Sequence, residues 1–194
     1  MAGAESLVQP DKNNIINDND RQVMDSPSPD FFGGWNNSFQ YKGFQLDAFF
    51  TYMYGNQVYN QRKATTIGTL GNLYAVLEDY VKNRWTGPGT SNVYPRAINS
   101  STNNNKNSDR WLEDGSFVRL RALTLGYNLP NNLLKKLNLR GLRLFTQVDN
   151  LFLLTRYSGY DPEVSTEVDA SLTGVDLLAV PQPRTISFGA NFSF

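Results

Sequence analysis

Apolar and small polar residues alternate without a break along residues 184–194, and no other feature restricts the possible folds of this chain as strongly. The apolar set is Ile186, Phe188, Ala190, Phe192 and Phe194. A period of two places the two sets on opposite faces of an extended strand. The length also matches the roughly 9 to 11 residues with which a tilted strand crosses a bilayer. The segment alone fits an edge strand of a soluble β-sandwich equally well.

Composition excludes several classes of chemistry. Among 194 residues there is no cysteine and no histidine, which excludes disulfides, thiol nucleophiles, Cys/His zinc sites and imidazole catalysis. We therefore predict no cofactor and no metal. Eighteen basic and eighteen acidic residues cancel, so nucleic acid is not an expected partner. No apolar run approaches the length of a spanning helix, and residues 1–10 lack signal-peptide features. We expect either a cytosolic protein or a native amino terminus upstream of residue 1.

A second alternating stretch, residues 31–54, predicts a β-hairpin. Its two halves meet at Lys42-Gly43, and a two-residue loop that ends in glycine is a hairpin signal. This loop would place three pairs on one apolar face: Tyr41 with Phe44, Phe39 with Leu46, and Trp35 with Phe50. The other face would carry amide, hydroxyl and carboxylate side chains.

Two further strands are predicted over residues 116–129 and 141–151. In the first of them the apolar phase changes after Ala122, which either a β-bulge or two differently exposed ends would explain. In the second, Phe145 interrupts the alternation. The polar side chains that we expect on the wet face of these strands are Arg119, Arg121, Arg143, Gln147 and Asp149.

The connections between strands are uneven. Residues 55–114 form a long loop in which apolar spacings of three and four predict one amphipathic helix over residues 70–85. Residues 131–137, after Pro130, predict a short helical turn. The polar segment 11–21 offers Asp11 and Asn13 as possible calcium ligands, but other positions depart from the EF-hand pattern, and a solvated turn is the better interpretation.

The order of these connections distinguishes the fold classes. A two-residue turn, a loop of about sixty residues, a turn of about a dozen and a loop of about thirty follow one another, so that short and long connections alternate. Outer-membrane barrels have this pattern, with short periplasmic turns and long extracellular loops. Five strands cannot close a membrane barrel, and open edges are not tolerated in lipid. We therefore predict an all-β segment of a larger transmembrane barrel.

Several sequence blocks resemble one known family. The blocks are FGGWNNSFQYKGF at 32–44, NSDRWLEDGSFVRLR at 107–121 with LTLGYNLP at 123–130, DNLF at 149–152, YSGYDP at 157–162 and PRT at 183–185. They are similar in content and order to the carboxyl-terminal part of SusC/RagA-type TonB-dependent outer-membrane receptors. The resemblance runs from about residue 17 to residue 194.

The resemblance implies a 22-stranded barrel of which this chain supplies the last five antiparallel strands, with long extracellular loops and one short loop helix. It divides the chain into an extracellular loop segment, 1–30, and a barrel segment, 31–194. It also implies a plug domain, a TonB energy-transducing complex that acts through that plug, a SusD-type surface lipoprotein, outer-membrane lipids as surroundings and oligosaccharide or peptide cargo. The location implied is the bacterial outer membrane.

Individual residues acquire roles from this resemblance. The residues of the wet face would line the barrel lumen. Candidate contacts with cargo or with the lipoprotein are the loop aromatics Trp85, Tyr94, Trp111, Tyr157 and Tyr160, although packing within the loops is the simpler role for each. The aromatic ending, Phe188, Phe192 and Phe194, would be read by the barrel-assembly machinery.

Two other hypotheses remain open on the sequence. A soluble carbohydrate-binding or adhesion β-domain could use Trp85, Tyr94, Trp111 and Tyr160 as stacking platforms. A hydrolase would have to depend on carboxylates such as Asp109, Glu113 and Asp114, which are more simply loop charges. The transport hypothesis is preferred, and it predicts that the chain is not an enzyme.

Overall fold

The computed structural model describes residues 5–7, 19, 21–24, 26–67, 78–97, 107–163 and 173–194. Within these residues the chain forms short and long strands and three short α-helices. The strands are β1 (Glu5–Leu7), β2 (Arg21–Val23), β3 (Phe31–Tyr41), β4 (Phe44–Tyr54), β5 (Gln57–Tyr59), β6 (Leu112–Asp114), β7 (Phe117–Asn128), β8 (Gly141–Thr155) and β9 (Thr185–Ser193). The helices are α1 (Gln61–Thr66), α2 (Glu78–Asn83) and α3 (Asn131–Lys136).

The chain divides into two compact units whose segments interleave along the sequence. One consists of residues 29–55, 115–156 and 181–194 and is called the sheet unit. The other consists of residues 1–28, 56–114 and 157–180 and is called the loop unit.

The sheet unit is one antiparallel sheet in the order β3-β4-β7-β8-β9. All five predicted strands are confirmed, and each observed strand begins within one residue of its predicted start. The hairpin register is the predicted one, with Trp35 opposite Phe50 and Tyr41 opposite Phe44. Lys42 and Gly43 have φ values of 46° and 88°, as a type I′ turn requires at both central positions.

A bulge accounts for the phase change in β7. Phe50 pairs with Leu120 and Phe49 with Ala122, so Arg121 is the extra residue. In β8 the register passes from Asp149 to Phe152 across an irregularity at Asn150, whose φ is 52°. Of the two explanations left open by the sequence, the bulge is the observed one. The predicted end of β8 at residue 151 was wrong, because the strand resumes after this kink and continues to Thr155.

The connection between β7 and β8 contains the helical turn expected at residues 131–137. Helix α3 spans Asn131–Lys136 and buries Leu134, while Leu133 and Leu137 remain exposed. This turn and the Lys42-Gly43 turn lie at the same end of the sheet, and both long connections start from the opposite end. The sheet therefore has a short-turn end and a long-loop end.

The loop unit has a small core of its own. Tyr59, Ala64, Ile67, Tyr80 and Trp111 form a cluster, with β5 paired antiparallel to β6 beside it. Helix α2 confirms the later part of the helix predicted at 70–85, whereas residues 70–77 of that prediction lie outside the described residues. The prediction of one loop helix was incomplete, because α1 precedes α2. The side chain of Asn60 caps α1 by accepting a hydrogen bond from the Lys63 N–H at 2.9 Å.

One further strand pair was not predicted: β1 pairs antiparallel with β2 near the amino terminus. Of the candidate calcium segment 11–21, the structure describes only Asn19 and Arg21, so its proposed ligands lie outside the described residues. Within the described part of the chain, no helix has the length and apolar character to cross a membrane.

Candidate functional site

The outstanding feature of the sheet unit is an apolar face that continues across all five strands. Alternate residues of each strand contribute to it, and neighbouring strands keep the same phase through the register. Many of its members are exposed, among them Phe31, Trp35, Phe39, Tyr41, Phe44, Tyr52, Tyr54, Leu125, Leu144, Phe152, Leu154, Ile186, Phe188 and Phe192. Phe188, in the middle of β9, leaves 83% of its surface uncovered. A contiguous exposed apolar surface of this kind indicates contact with a membrane or with another protein.

Aromatic side chains on this face contact one another across the strands. The rings of Trp35 and Phe50 stack with centroids 4.7 Å apart, and those of Phe44 and Tyr127 are 4.5 Å apart. Pairs of this kind stabilise an antiparallel sheet. The strands have 9 to 15 residues, which is sufficient for a tilted strand to cross a bilayer.

The opposite face is mainly polar, although Phe49, Phe117 and Phe145 also lie on it, and its carboxylates are hydrogen-bonded within the sheet. Asp47 accepts hydrogen bonds from the Ser38 hydroxyl and from Gln45 Nε2, the latter at 2.9 Å. Asp149 accepts one from Gln147 Nε2 at 2.8 Å. These bonds join neighbouring positions of the polar face and fix its side chains.

Cross-strand pairing places four of the five predicted wet-face residues on this polar side. Arg143, Gln147 and Asp149 occupy alternate positions of β8, and Arg119 follows the same phase on β7. Arg121 is the bulge residue beside Ala122, which belongs to the polar face. Arg119 is almost fully buried, so it is not openly exposed on this face. That these residues line a lumen stays a prediction.

In the loop unit, Glu113 connects three chain segments. Its carboxylate accepts hydrogen bonds from the N–H and the hydroxyl of Ser158, both at 2.8 Å, and from Asn60 Nδ2 at 3.2 Å. It also forms an ion pair with Lys63 at 3.2 Å. Burial acts to raise the pKa of Glu113, but the bonds from Ser158 and Lys63 outweigh it and lower that pKa. Glu113 is thus a structural carboxylate, a role that loop charge alone did not reveal.

A second buried contact holds the segment after β8. The Tyr157 hydroxyl donates to Asp176 Oδ2 at 2.5 Å, and Oδ1 of Asp176 accepts from the N–H groups of Leu178 and Ala179 at 2.9 and 3.1 Å. Burial, together with the hydrogen bond to Asp176, raises the pKa of Tyr157 well above its usual range. The phenol remains protonated and serves as a donor.

The loop aromatics singled out by sequence fall into two groups. Trp111 is fully buried in the core and Tyr157 is 6% exposed, so their assignment as cargo or lipoprotein contacts is corrected to packing. Trp85 and Tyr94 are half-buried, and the Tyr94 hydroxyl donates to Asp79 at 2.6 Å. Burial and this bond raise the pKa of Tyr94 to about 12. Tyr160 is 59% exposed, with the Arg62 guanidinium 4.3 Å from its ring centroid. For these three residues the assignment stays a prediction.

The aromatic ending lies on the apolar side of β9. Phe188 and Phe192 pair with Thr146 and Leu142 of β8, and Phe194 follows in the same phase. All three are exposed, and their role in assembly stays a prediction. Among the residues that the structure describes, no group of three acidic side chains is placed to hold a metal ion. Of the carboxylates considered for hydrolysis, Glu113 is engaged in the contacts given above.

Comparison with known proteins relates nearly the whole chain to TonB-dependent receptors. No protein-family model matches the chain. TonB-dependent receptor P3 of Formosa agariphila is 33% identical over 99% of this chain, and TonB-dependent receptor SusC of Bacteroides thetaiotaomicron is 27% identical over 94% of it. Those matches cover 19% and 17% of the relatives, so the chain spans less than a fifth of their length.

Solved structures give the same result. The RagAB peptide importer in its open-open state matches 100% of this chain and 21% of the solved chain, with a TM-score of 0.78 and 26% identity. The structure of the RagAB peptide transporter matches 94% of this chain and 19% of the solved chain, with a TM-score of 0.78 and 27% identity. The five-stranded sheet thus has the fold of a part of these transporter chains.

Proposed function

This chain is a homologue of part of the SusC/RagA-type TonB-dependent receptors, and on that premise we propose that it forms the carboxyl-terminal wall of an outer-membrane nutrient importer. The relatives are receptors and transporters rather than enzymes. In the proposed receptor, residues 31–194 belong to the barrel and residues 1–30 to an extracellular loop. The wall faces outer-membrane lipid on one side and an aqueous lumen on the other.

One observation carries this proposal: the sheet unit has an exposed apolar face and a hydrogen-bonded polar face along strands of spanning length. A soluble sheet covers its apolar face with a second layer. A barrel wall instead alternates lipid-facing and lumen-facing side chains along every strand. The exposed Phe188 and the hydrogen-bonded Asp149 fit the second arrangement, and they disfavour a soluble carbohydrate-binding domain.

The open edges of the sheet support a larger barrel. Among the described residues no strand pairs with the outer edge of β3 or of β9. Unpaired backbone groups are not tolerated in lipid, so both edges need partners from elsewhere in the receptor. We propose that the complete barrel has 22 strands and that β9 closes it against the first of them.

The proposed cargo is an oligosaccharide or a peptide too large for passive pores. The name of the RagAB structures supports a peptide, and the relation to SusC supports a receptor that works with a surface lipoprotein of the SusD type. We place the long-loop end outside the cell, where Trp85, Tyr94 and Tyr160 would meet cargo or lipoprotein. A plug domain in the remaining part of the receptor would connect transport to the TonB complex.

Uptake by cells tests the transport function. A strain that lacks the full-length receptor should lose accumulation of its nutrient, and the intact gene should restore it. Labelled oligosaccharides and labelled peptides of matched size should be compared, each with and without an uncoupler of the proton-motive force. Loss of uptake on both deletion and uncoupling supports the proposal. Accumulation that is unchanged in the deletion strain for both cargo classes contradicts it.

The membrane orientation has a separate test that uses the absence of cysteine from this chain. Spin labels should be attached to Phe188→Cys or to Ser187→Cys in a full-length receptor without other cysteines. The label at 188 should be relaxed mainly by oxygen, which dissolves in lipid, and the label at 187 mainly by a water-soluble nickel complex. The same accessibility at both positions contradicts a two-faced wall.

A further inference from the structure

Phe145, like Phe49, is an aromatic residue on the polar face of the sheet unit, and it has no part in the proposed function. Phe145 pairs with Gly126 on β7 and with Gly189 on β9. Its ring extends over Gly189, where an added Cβ would come within 2.6 Å of Phe145 Cε1. A side chain at position 189 would therefore displace the ring, and glycine allows the ring to lie flat on the wall.

The neighbouring Arg143 lies on the wall in the same way, towards the other strand. An added Cβ at Gly126 would be 3.1 Å from both Nε and Nη2 of Arg143. The guanidinium carbon is 6.0 Å from the centre of the Phe145 ring. Two glycines on flanking strands thus provide the space for one aromatic ring and one guanidinium, which together are called the Arg143 patch.

Arg143 lacks an acceptor on this wall. Its Nε is buried and has no hydrogen-bond partner among the described residues, and no carboxylate there lies at ion-pair distance from it. Asp47 and Asp149 of the same face already accept hydrogen bonds from Gln45 and Gln147. A buried donor without an acceptor is costly, so an oxygen from outside the sheet is expected there.

The surroundings of the patch are suited to a carboxylate. A cavity of about 360 Å³ adjoins Arg143, and its lining combines the polar Asn128, Asn191 and Ser193 with the apolar Leu129, Leu134, Leu142 and Phe192. Asn128 and Asn191 are the cross-strand neighbours of Arg143 and carry amide donors. A guanidinium binds a carboxylate in a planar, two-pronged geometry, and the Phe145 ring offers an apolar contact next to it.

We propose that the Arg143 patch binds an acidic side chain of the receptor's own plug domain and anchors that domain to the barrel wall. This proposal rests on the proposed function, which makes the polar face the lumen and the short-turn end the periplasmic end. Arg143 is the third residue of β8 after the turn at that end. The relatives are about five times as long as this chain, and a full-length receptor of that size has enough chain to supply the partner. A buried donor needs a hydrogen-bond acceptor at all times, and a domain of the receptor supplies one permanently whereas cargo that passes through does not.

Chemical coupling in the intact receptor tests the proposal. Arg143→Lys places an ammonium group in the patch, and a zero-length carbodiimide joins an ammonium group to a carboxylate that touches it. Arg143→Gln, which cannot couple, is the matched control. We expect one main cross-linked peptide that joins β8 to an Asp or Glu of the plug. Cross-links only to the wall, to cargo or to the lipoprotein overturn the proposal, as does coupling no greater than in the control.

Two further variants keep the test decisive. If Arg143→Lys does not assemble, Asn191→Lys presents an ammonium group from the cross-strand neighbour of Arg143 and is coupled in its place. Arg143→Gln should also raise hydrogen exchange in the contacted plug segment roughly ten- to hundredfold, the factor expected for a lost charged hydrogen bond. Arg140→Gln, in the turn outside the strand, should leave that exchange unchanged. Unaltered plug exchange in Arg143→Gln overturns the proposal. If the variants form heat-modifiable barrels but show neither the cross-link nor the change in plug exchange, the proposed contact of the Arg143 patch is refuted while the proposed transport function is not.

Discussion

Replacing Phe188 by arginine in the full-length receptor is the most direct perturbation of the two-faced wall. Phe188 is the fourth residue of β9, opposite Thr146, and is 83% exposed on the apolar face. Arginine at the bilayer midplane of a barrel costs about 2 to 4 kcal/mol. Because 1.4 kcal/mol is a factor of ten, the folding equilibrium should fall roughly 30- to 700-fold.

The neighbouring residue provides the matched control. Ser187 pairs with Gln147 on the polar face, so Ser187→Arg directs the same charge into the lumen. We expect its cost to stay below about 1 kcal/mol, since lumen substitutions do not place charge in lipid. Phe192, opposite Leu142 near the short-turn end, tests depth: Phe192→Arg should also cost only about 0 to 1 kcal/mol near the interface.

The assay is urea-induced unfolding of the receptor in phospholipid vesicles, with heat-modifiable migration on gels as the measure of the folded barrel. The three variants should rank Phe188→Arg as the most costly, with the other two close to the parent. Equal costs at 187 and 188 would refute the assignment of faces. A larger cost at 192 than at 188 would refute the placement of β9 across the bilayer.

Three other predictions concern single contacts. Asn150 has a left-handed backbone, and its Nδ2 donates to the Pro183 carbonyl at 3.0 Å. Asn150→Gly keeps the backbone conformation but loses that bond and should cost about 0.5 to 1.5 kcal/mol, while Asn150→Val should cost about 1 to 3 kcal/mol more in the same unfolding assay. Tyr157→Phe removes a donor from the buried Asp176 and should destabilise the loop unit by about 1 to 3 kcal/mol, measured as faster limited proteolysis of the loops while heat-modifiable migration stays unchanged. The pKa of Glu113 is lower in the folded state than its ordinary value of 4.5, so the contacts of its carboxylate stabilise the fold fully above pH 4.5 and are lost as the pH falls below that value. Hydrogen exchange of residues 157–158 should therefore become faster at acidic pH. The increase should be smaller in Glu113→Gln, which has no carboxylate to protonate.

The strands could be predicted from sequence because the pattern and the turn chemistry agree. A period of two shows in every strand, and Lys42-Gly43 fixes the register of the first hairpin through two positive φ values. The phase change near Ala122 was visible, but its cause was not. A bulge and a change of exposure produce the same pattern, and only the paired strand distinguishes them.

The last four residues of β8 were missed for a related reason. Asn150 adopts a positive φ, and the register on its two sides differs by one residue. Phe152 and Leu154 keep the phase of Leu142 and Val148, but Asn150 and the unbroken apolar run at 151–154 interrupt the visible alternation, which appears in the sequence as the end of a strand. Asparagine tolerates the left-handed region better than most residues, and that preference was the one available signal.

The loop aromatics show where residue type ceases to be informative. Trp111 and Tyr160 both lie in polar loops, yet Trp111 is fully buried and Tyr160 is 59% exposed. The difference depends on contacts between distant segments, because the cluster around Trp111 joins residues 59–67 to residue 80. Sequence pattern describes one segment at a time, so it could identify aromatic candidates but could not separate core residues from surface ones.

Phe145 interrupts the polar phase of β8, and its contacts say more about what this face binds than those of the residues that follow the alternation. An aromatic ring over one cross-strand glycine is a general device of β-sheets, and Tyr52 over Gly33 is another case in this sheet. At Phe145 both partners are glycines, and the ring lies over one of them while Arg143 lies over the other. Gly189→Val should lift the ring from the wall, whereas the same change at Gly87, where nothing lies within 4 Å of an added Cβ, should have no effect on the sheet. If the wall were bare to solvent, lifting the ring would alter only the stability of the sheet. If the Arg143 patch holds the plug, Gly189→Val should also raise hydrogen exchange in the plug. That second effect distinguishes a binding surface from an aromatic residue that is merely accommodated on the polar face.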